Sequence, residues 1–226
     1  VHPGMPEAVL FDLDGTLADT APDLAGILAH LQHENGLAPT PFEVLRPQVS
    51  NGVRGLLGAG FGLTPDAPAY ADLAQRFLTL YAASLYVETC LFPGMSELLD
   101  SLDERGIVWG VVTNKAARFA RPIIDALGLA ERSICIVGGD TVARAKPFPD
   151  PLLHACKLAA LDPLRCIYVG DDIRDIKAGK AAGMRTLAAA YGYLGSNEPI
   201  EAWAADAIIN HPLEILSFIE KTDRVL

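Results

Sequence analysis

The sequence predicts an α/β protein with a doubly wound parallel sheet, a Rossmann-like core, and a small all-helical cap inserted after the first strand. Short apolar runs without in-and-out alternation are typical of parallel strands, because helices cover both faces of such a sheet. Helical patterns separate these runs, and one long interval contains helical spacing only. The chain has 226 residues, of which 50% are hydrophobic and 20% charged, so it can bury a core and long disordered stretches are not expected.

Six apolar runs are predicted to be strands, and each is bounded by a helix or turn signal. They cover residues 8–11, 107–112, 134–137, 166–169, 186–189 and 207–209. Pro93-Gly94 opens a helix candidate in which Leu98, Leu99 and Leu102 recur at helical spacing, and further candidates cover residues 149–161 and 172–183. This alternation of strand and helix predicts the doubly wound arrangement.

The interval from about residue 20 to residue 87 contains no convincing strand. Apolar residues recur there at helical spacing, first from Leu24 to Leu31 and again from Tyr70 to Tyr81. We therefore predict a core domain of residues 5–19 and 90–226 and a cap domain of residues 20–89. An insert placed directly after the first strand would cover the carboxyl ends of the strands, where open α/β sheets bind ligands, so it is interpreted as a lid.

Composition excludes several classes of partner. With 18 basic and 28 acidic residues the formal net charge is −10, which disfavours nucleic acid and anionic membranes. No apolar run approaches the ~20 residues of a membrane span, and the first residues lack the order of a secretory signal. The four cysteines form no C-x-x-C pair, which favours a reduced compartment. We therefore expect a cytoplasmic protein.

Two carboxylates follow the first predicted strand. Asp12 and Asp14 are two residues apart and precede Gly15. An acidic turn or a helix cap would not need both, and the apolar strand would draw Asp12 toward burial. The pattern favours a metal site with a carboxylate nucleophile, in which Asp12 attacks and Asp14 exchanges a proton with the leaving and entering oxygens.

The segment from Asp12 to Leu17 resembles the first motif of the haloacid dehalogenase superfamily. The other three motifs of that superfamily are matched in order after later strands, by Thr113-Asn114, by Lys146-Pro147 and by residues 170–175. The resemblance implies that the Thr113 hydroxyl and the Asn114 backbone amide bind phosphoryl oxygens. It also implies that Lys146 offsets the negative charge of the nucleophile and the phosphate.

The same resemblance implies a magnesium site. Its ligands would be a carboxylate oxygen of Asp12, the backbone carbonyl of Asp14 and a carboxylate of Asp171. Asp172 and Asp175 would hold these ligands in position without binding the metal. The sequence alone does not show which of Asp171, Asp172 and Asp175 binds the metal directly. Oxygen ligands without a nearby cluster of His or Cys are typical of Mg²⁺.

Asp14 also distinguishes branches of the superfamily. Dehalogenases lack this second aspartate, whereas an alkoxide leaving group needs a proton, so Asp14 favours a phosphatase of small phosphorylated metabolites. The chain most resembles phosphoglycolate phosphatases and is also similar to N-acetylmuramate 6-phosphate phosphatases. A phosphosugar mutase and a receiver-like signalling domain that accepts a phosphoryl group are the alternatives. A receiver, however, has no helical lid and carries its acceptor aspartate on a later strand.

Specificity is expected to come from the cap. Arg54, in the glycine-flanked segment 50–55, is the candidate for binding a substrate carboxylate or hydroxyl group. The alternative is a surface arginine beside the start of a helix. Lys115 and Arg118 follow the second motif and could face the substrate, but solvated residues of a first helical turn are the more common case and are expected here.

Overall fold

The computed structural model describes residues 5–195 and 198–223. Eight strands lie within these ranges. They are β1 (Ala8–Phe11), β2 (Ala18–Asp19), β3 (Cys90–Leu91), β4 (Val108–Val112), β5 (Ile136–Val137), β6 (Cys166–Gly170), β7 (Arg185–Ala189) and β8 (Ala207–Ile209).

Nine α-helices and three short 3₁₀ helices accompany the strands in the described ranges. The α-helices are α1 (Ala21–Glu34), α2 (Phe42–Leu45), α3 (Gly52–Phe61), α4 (Tyr70–Ala83), α5 (Met95–Glu104), α6 (Ala117–Ala126), α7 (Asp150–Ala159), α8 (Ile173–Ala181) and α9 (Glu214–Asp223). The 3₁₀ helices are Arg46–Asn51, Pro163–Arg165 and Ile200–Trp203.

Six strands form one parallel sheet in the order β5-β4-β1-β6-β7-β8. The central strand β1 pairs with β4 on one side and with β6 on the other, so that Phe11 lies opposite both Val111 and Val169. The three strands therefore end side by side. Residues that follow β1, β4 and β6 are brought to one edge of the sheet.

Helices cover both faces of this sheet. Val9 and Phe11 of β1 pack in one apolar cluster with residues of α5, α6 and α9, whereas Ala8 and Leu10 pack in a second cluster with residues of α7 and α8. Because successive side chains of a strand point to opposite faces, every residue of β1 is buried. This explains why the strand sequence shows no alternation of apolar and polar residues.

The chain enters and leaves the helical insert through a two-stranded antiparallel ribbon, in which Asp19 of β2 pairs with Cys90 of β3. Asp23, at the start of α1, accepts hydrogen bonds from the backbone amides of Val87, Glu88 and Thr89 and from the Thr89 hydroxyl. Burial opposes the charge on Asp23, but these hydrogen bonds outweigh it and lower the pKa of Asp23. These hydrogen bonds therefore connect the start of the insert to its end.

The predicted fold class is confirmed. All six predicted strands are present, although β5 is only two residues long and begins at Ile136 rather than at Ile134. The insert contains helices α1 to α4 and no strand. The predicted core range ends at residue 226, and its residues 196–197 and 224–226 lie outside those described. No helix in the described part of the chain combines the length and apolar character that a membrane crossing requires.

Candidate active site

A cavity of about 350 Å³ lies between the carboxyl edge of the sheet and the helical insert. We call its lining from the α/β core the core floor, which includes Asp12, Asp14, Thr113, Lys115, Lys146 and Asp175. We call its lining from the insert the cap wall, which includes Leu24, Val49, Val53, Phe77, Leu78 and Tyr81. The floor is therefore charged and the wall is mainly apolar.

Three carboxylates, two of which belong to the core floor, form an acidic cluster. Oxygens of Asp12, Asp171 and Asp175 lie within 4.8 Å of one another. Asp171 accepts hydrogen bonds from the Thr16 hydroxyl at 3.0 Å and from the Tyr193 amide at 2.8 Å. The cluster brings together two acids predicted to bind metal and one, Asp175, that was predicted only to support them.

A glycine makes this approach possible. Gly15 has a φ of +82°, and a Cβ at this position would come within 2.2 Å of the Asp171 carboxylate. Both the left-handed backbone and the lack of space therefore require glycine here. The close approach of Asp171 thus explains why a glycine follows Asp14 in the first motif.

Lys146 is a buried cation that forms ion pairs with two acids of the cluster. Its ammonium lies 3.0 Å from Asp12 and 2.6 Å from Asp175, and it donates hydrogen bonds to the Tyr168 hydroxyl and the Val112 carbonyl. Burial disfavours its charge, but Asp12 and Asp175 outweigh burial and raise the pKa of Lys146. Lys146 therefore remains a cation next to the predicted nucleophile.

One ammonium does not neutralise three carboxylates. Burial, the charge on Asp12 and the charge on Asp175 raise the pKa of Asp171 well above its usual range. Burial also raises the pKa of Asp175, to about 7, although Lys146 opposes this rise. The acids therefore repel one another when charged and retain protons in the absence of a further cation, which fits a site where a hard divalent cation displaces those protons.

Asn114 and Thr113 follow β4. The Asn114 side chain donates to the Lys146 carbonyl and accepts from the Lys146 amide, both at 2.9 Å. These two bonds fix the backbone that carries Lys146. Thr113 is buried at the cavity, and its hydroxyl accepts a hydrogen bond from the Lys115 amide at 3.1 Å.

Asp14 lies beside the acidic cluster but is held by different partners. Its carboxylate oxygens are 2.8 and 3.0 Å from the Lys115 ammonium, and it also accepts a hydrogen bond from Thr20. The expectation that Lys115 is solvated was wrong, since its side chain is only 9% exposed. Burial disfavours the charge on Lys115, but Asp14 and Tyr81 outweigh burial and raise its pKa. Lys115 thus orients Asp14.

Asp172 lines the cavity but is not one of the three clustered acids. Its side chain accepts hydrogen bonds from the Arg174 amide and guanidinium, both at 2.8 Å, and so caps α8. Asp175 completes the capping box by accepting from the Asp172 amide at 3.1 Å. Arg174 also donates to the Ser50 carbonyl of the insert, so this motif joins the core to the insert.

The structure does not bring Arg54 to the cavity. Arg54 is exposed on α3, whereas its neighbour Val53 lines the cavity. Arg118 does line the cavity, and in the described residues it has no carboxylate partner; its guanidinium lies 4.7 Å from the Phe119 ring centroid. The sequence left open whether Arg118 faces the substrate, because the direction of its side chain depends on how α6 packs.

Two buried hydroxyls at the cavity also escaped sequence reasoning. The Tyr81 hydroxyl is buried beside the Lys115 ammonium, and the Ser50 hydroxyl is buried without a hydrogen-bond partner among the described residues; both residues line the cavity. Tyr81 was assigned only to the apolar face of α4, because helical spacing reports burial and says nothing about a hydroxyl at the end of a ring.

The family model of haloacid dehalogenase-like hydrolases matches residues 9–189, which include every motif described above. The chain belongs to this family. The predicted superfamily is thereby confirmed, as is the prediction of an enzyme that hydrolyses phosphoric monoesters.

Two similar proteins from this family carry different names. The N-acetylmuramic acid 6-phosphate phosphatase of Pseudomonas aeruginosa is 44% identical over 215 residues, which cover 95% of both chains. The phosphoglycolate phosphatase of Xanthomonas campestris pv. campestris is 43% identical over 211 residues, which cover 93% of this chain and 95% of the relative. Sequence identity therefore does not separate the two.

Solved structures of the family have the same fold. A "predicted phosphoglycolate phosphatase" from Haemophilus somnus 129PT superposes with a TM-score of 0.82 at 28% identity, covering 94% of this chain and 97% of that one. The arrangement of this phosphatase's core and insert is thus shared with a crystal structure over nearly its full length.

Proposed function

We propose that this phosphatase transfers the phosphoryl group of a small monoester to Asp12 and then to water. The observation that carries the proposal is the placement of Asp12 at the cavity with Lys146 3.0 Å away. A carboxylate next to a buried cation, at the floor of a cavity that a cap covers, fits a nucleophile shielded from bulk water.

Asp12 and Asp14 take part in both steps, and the proton transfer by Asp14 is reversed in the second step. In the first, an Asp12 oxygen forms a bond to phosphorus, the ester bond breaks, and Asp14 gives a proton to the leaving oxygen. In the second, Asp14 takes a proton from a water molecule as its oxygen attacks the aspartyl-phosphate, and the bond from Asp12 to phosphorus breaks. Lys115 and Thr20 hold Asp14 in place for both transfers.

The phosphoryl oxygens need partners on the floor. We assign this role to the Thr113 hydroxyl, the Asn114 backbone amide and the Lys146 ammonium. The contacts of the Asn114 side chain with the Lys146 backbone support the assignment, since they set the position of that ammonium. Preorganised donors of this kind stabilise charge that develops during transfer.

We assign the acidic cluster to Mg²⁺. The carboxylates of Asp12, Asp171 and Asp175 would hold it, together with the backbone carbonyl of Asp14 that the family resemblance implies. Bound there, Mg²⁺ would offset repulsion between Asp12 and the phosphate dianion. The excess of carboxylates over ammonium groups in the cluster supports this assignment.

The preferred substrate in this proposal is N-acetylmuramic acid 6-phosphate. The cavity of about 350 Å³ is large enough for a sugar phosphate, and the apolar cap wall suits the methyl groups of acetyl and lactyl substituents. Arg118, which has no acidic partner among the described residues, suits the lactyl carboxylate.

2-Phosphoglycolate is the second candidate. Relatives that carry its name are 43% identical to this chain, and its carboxylate also suits Arg118. It is small and wholly polar, however, so it would leave the apolar cap wall without contacts.

The division into a core of residues 5–19 and 90–226 and a cap of residues 20–89 is also part of the proposal. The ribbon formed by β2 and β3 lies at both junctions and supports it. A cytoplasmic location is retained as well, on the composition of the sequence.

Steady-state phosphate release, with and without Mg²⁺, tests the function. The panel contains N-acetylmuramic acid 6-phosphate, 2-phosphoglycolate, glucose 6-phosphate and phenyl phosphate. We expect Mg²⁺-dependent release with the largest kcat/KM on N-acetylmuramic acid 6-phosphate. A larger kcat/KM on 2-phosphoglycolate would select the second candidate, and an isomerised sugar phosphate without phosphate release would indicate a mutase.

A further inference from the structure

The Lys115 ammonium lies where the cap meets Asp14, the proposed acid–base residue of the core. It is 2.8 and 3.0 Å from the two carboxylate oxygens of Asp14, and 5.0 Å from the ring centroid of Tyr81 on α4. The buried Tyr81 hydroxyl lies beside the same ammonium and accepts a hydrogen bond from it. One cation therefore contacts both the core floor and the cap wall.

The backbone of Lys115 is fixed by the core, whereas its ammonium depends on its partners. The Lys115 amide donates to the Thr113 hydroxyl at 3.1 Å, and the Lys115 carbonyl accepts from the Gly139 amide at 2.9 Å. The ammonium is carried on a flexible four-carbon chain and has three donors but no acceptor. With its side chain only 9% exposed, it needs acceptors from the protein, and Asp14 and Tyr81 supply them.

Tyr81 is held rigidly enough to fix such an ammonium. Only 2% of its surface is exposed, and its ring centroid is 6.4 Å from that of Phe77 on the same helix. On its other side the ring centroid is 5.4 Å from that of Phe119 on α6, which belongs to the core. The Tyr81 ring is therefore packed between the cap and the core.

We propose that Tyr81 is a positioning residue for proton transfer, which acts through Lys115 to hold the Asp14 carboxylate where it meets the leaving oxygen. The inference rests on the proposed function and refines it, since it adds a cap residue to the acid–base apparatus of the core. Without the Tyr81 hydroxyl, a buried donor of Lys115 loses its acceptor, and the ammonium is no longer confined to the position in which it binds both oxygens of Asp14.

A pair of aryl phosphates separates proton transfer from other contributions to the rate. Phenyl phosphate and 4-nitrophenyl phosphate carry the same ring on the ester oxygen, but 4-nitrophenolate leaves as a stable anion and needs a proton much less than phenolate does. Because kcat/KM covers the steps up to departure of the leaving group, impaired proton transfer should lower kcat/KM selectively on phenyl phosphate.

Tyr81→Phe removes only the hydroxyl and retains the ring. Tyr70→Phe is the matched control, since Tyr70 lies on the same helix and does not line the cavity. With Mg²⁺, we expect Tyr81→Phe to lower kcat/KM about tenfold on phenyl phosphate, the effect of one lost hydrogen bond, and less than twofold on 4-nitrophenyl phosphate. Tyr70→Phe should match the wild type on both substrates. Thermal unfolding of each full-length variant, measured in parallel, should show a folded protein.

Lys115→Met tests whether Tyr81 acts through Lys115. This variant should show the same selective loss on phenyl phosphate. Addition of Tyr81→Phe to Lys115→Met should lower kcat/KM on phenyl phosphate by less than a further twofold, because the residue through which Tyr81 acts is already absent. A further tenfold loss in the double variant would contradict this route.

Equal losses of Tyr81→Phe on the two aryl phosphates, or no loss on either, would overturn the role of Tyr81. A wild type that releases no phosphate from either aryl phosphate with Mg²⁺ would instead refute the proposed function. The two failures are therefore distinguishable.

Discussion

The core floor and the cap wall of the cavity differ in how completely their polar groups are paired. On the floor, Lys146 contacts Asp12 and Asp175, and Lys115 contacts Asp14. On the wall, most of the lining is apolar, and the buried Ser50 hydroxyl has no hydrogen-bond partner among the described residues. The floor is thus organised before a substrate arrives, as preorganised catalysis requires, whereas the wall offers mainly apolar surface to the leaving group.

This difference predicts which variants affect all substrates and which affect only some. A change on the floor should reduce hydrolysis of every phosphate monoester, because the chemical step is common to them. A change at the cap wall, or at Arg118, should alter which substrate is hydrolysed with the largest kcat/KM, because the substrates differ only in their leaving groups.

The largest effect is expected for Asp12→Asn. An amide is not a nucleophile, so phosphate release should fall by at least about 10³-fold on every substrate. The Tm should not fall by more than a few degrees, because the change also relieves repulsion within the acidic cluster. Phosphate release assays and thermal unfolding measure the two effects, with exposed Asp125→Asn as control. Near wild-type activity of Asp12→Asn would remove Asp12 from the mechanism.

Lys146→Met should be the most destabilising change of the floor. It leaves Asp12, Asp171 and Asp175 without their buried cation, and removal of one partner from a buried ion pair costs about 3–5 kcal/mol. Urea unfolding at pH 8 measures the loss, with exposed Lys177→Met as control. At pH 5 the loss should be smaller, because protonation of the cluster removes part of the unpaired charge. A loss below about 1 kcal/mol at pH 8 would contradict the account.

Removal of Mg²⁺ should make stability depend on pH. The pKa of Asp175 is raised to about 7 in the folded protein and that of Asp171 is also raised, so both bind protons more strongly folded than unfolded. The contribution of Asp175 is complete below its ordinary pKa near 4 and is lost as pH rises through about 7, and the contribution of Asp171 is lost in the same direction. Metal-free protein should therefore have a lower Tm at pH 8 than at pH 5.

Mg²⁺ should restore stability mainly at pH 8, by about 2.7 kcal/mol at 100 times its Kd, because its ligands must be deprotonated. Thermal unfolding at both pH values, with EDTA or with Mg²⁺, provides the measurement. Stabilisation of equal size at pH 5 and pH 8 would argue against a carboxylate cluster as the binding site.

The smallest of these effects is expected for Arg118→Ala. Loss of a charge-assisted hydrogen bond should lower kcat/KM about tenfold on N-acetylmuramic acid 6-phosphate and 2-phosphoglycolate, with no comparable loss on phenyl phosphate. Arg54→Ala is the control, since Arg54 is exposed and does not line the cavity. If Arg54→Ala, and not Arg118→Ala, changed the order of substrates, the cap would contact substrate differently from this structure.

The sequence was sufficient for the fold and for the strand-end residues of the site. Buried parallel strands have a continuous apolar pattern, and residues directly after neighbouring strands must meet at one edge of the sheet. This is why Asp12, Thr113 and Asp171 could be placed together from the sequence. The position of Asp175 was harder to predict from the sequence, because this residue lies in the first turn of α8 rather than directly after a strand. The capping box with Asp172 holds it next to Lys146.

The residues that form the cap wall could not be predicted from the sequence in this way. Which helical residues face the cavity depends on how α3 and α4 pack on the core, and the sequence records only that one face is apolar. Arg54 was chosen for its charge and neighbouring glycines, but Val53 occupies the cavity side of that turn. Lys115 was expected in solvent because its partner Asp14 is 101 residues away in the chain.

Formation of the aspartyl-phosphate on Asp12 tests the central claim most directly. Wild-type enzyme is mixed with Mg²⁺ and its best substrate, quenched in acid within the first turnover, and analysed by mass spectrometry of its peptides. The account predicts a phosphoryl group on the peptide that contains Asp12, and none in Asp12→Asn. A phosphoryl group on another residue, or hydrolysis at full rate without any phosphorylated peptide, would contradict it.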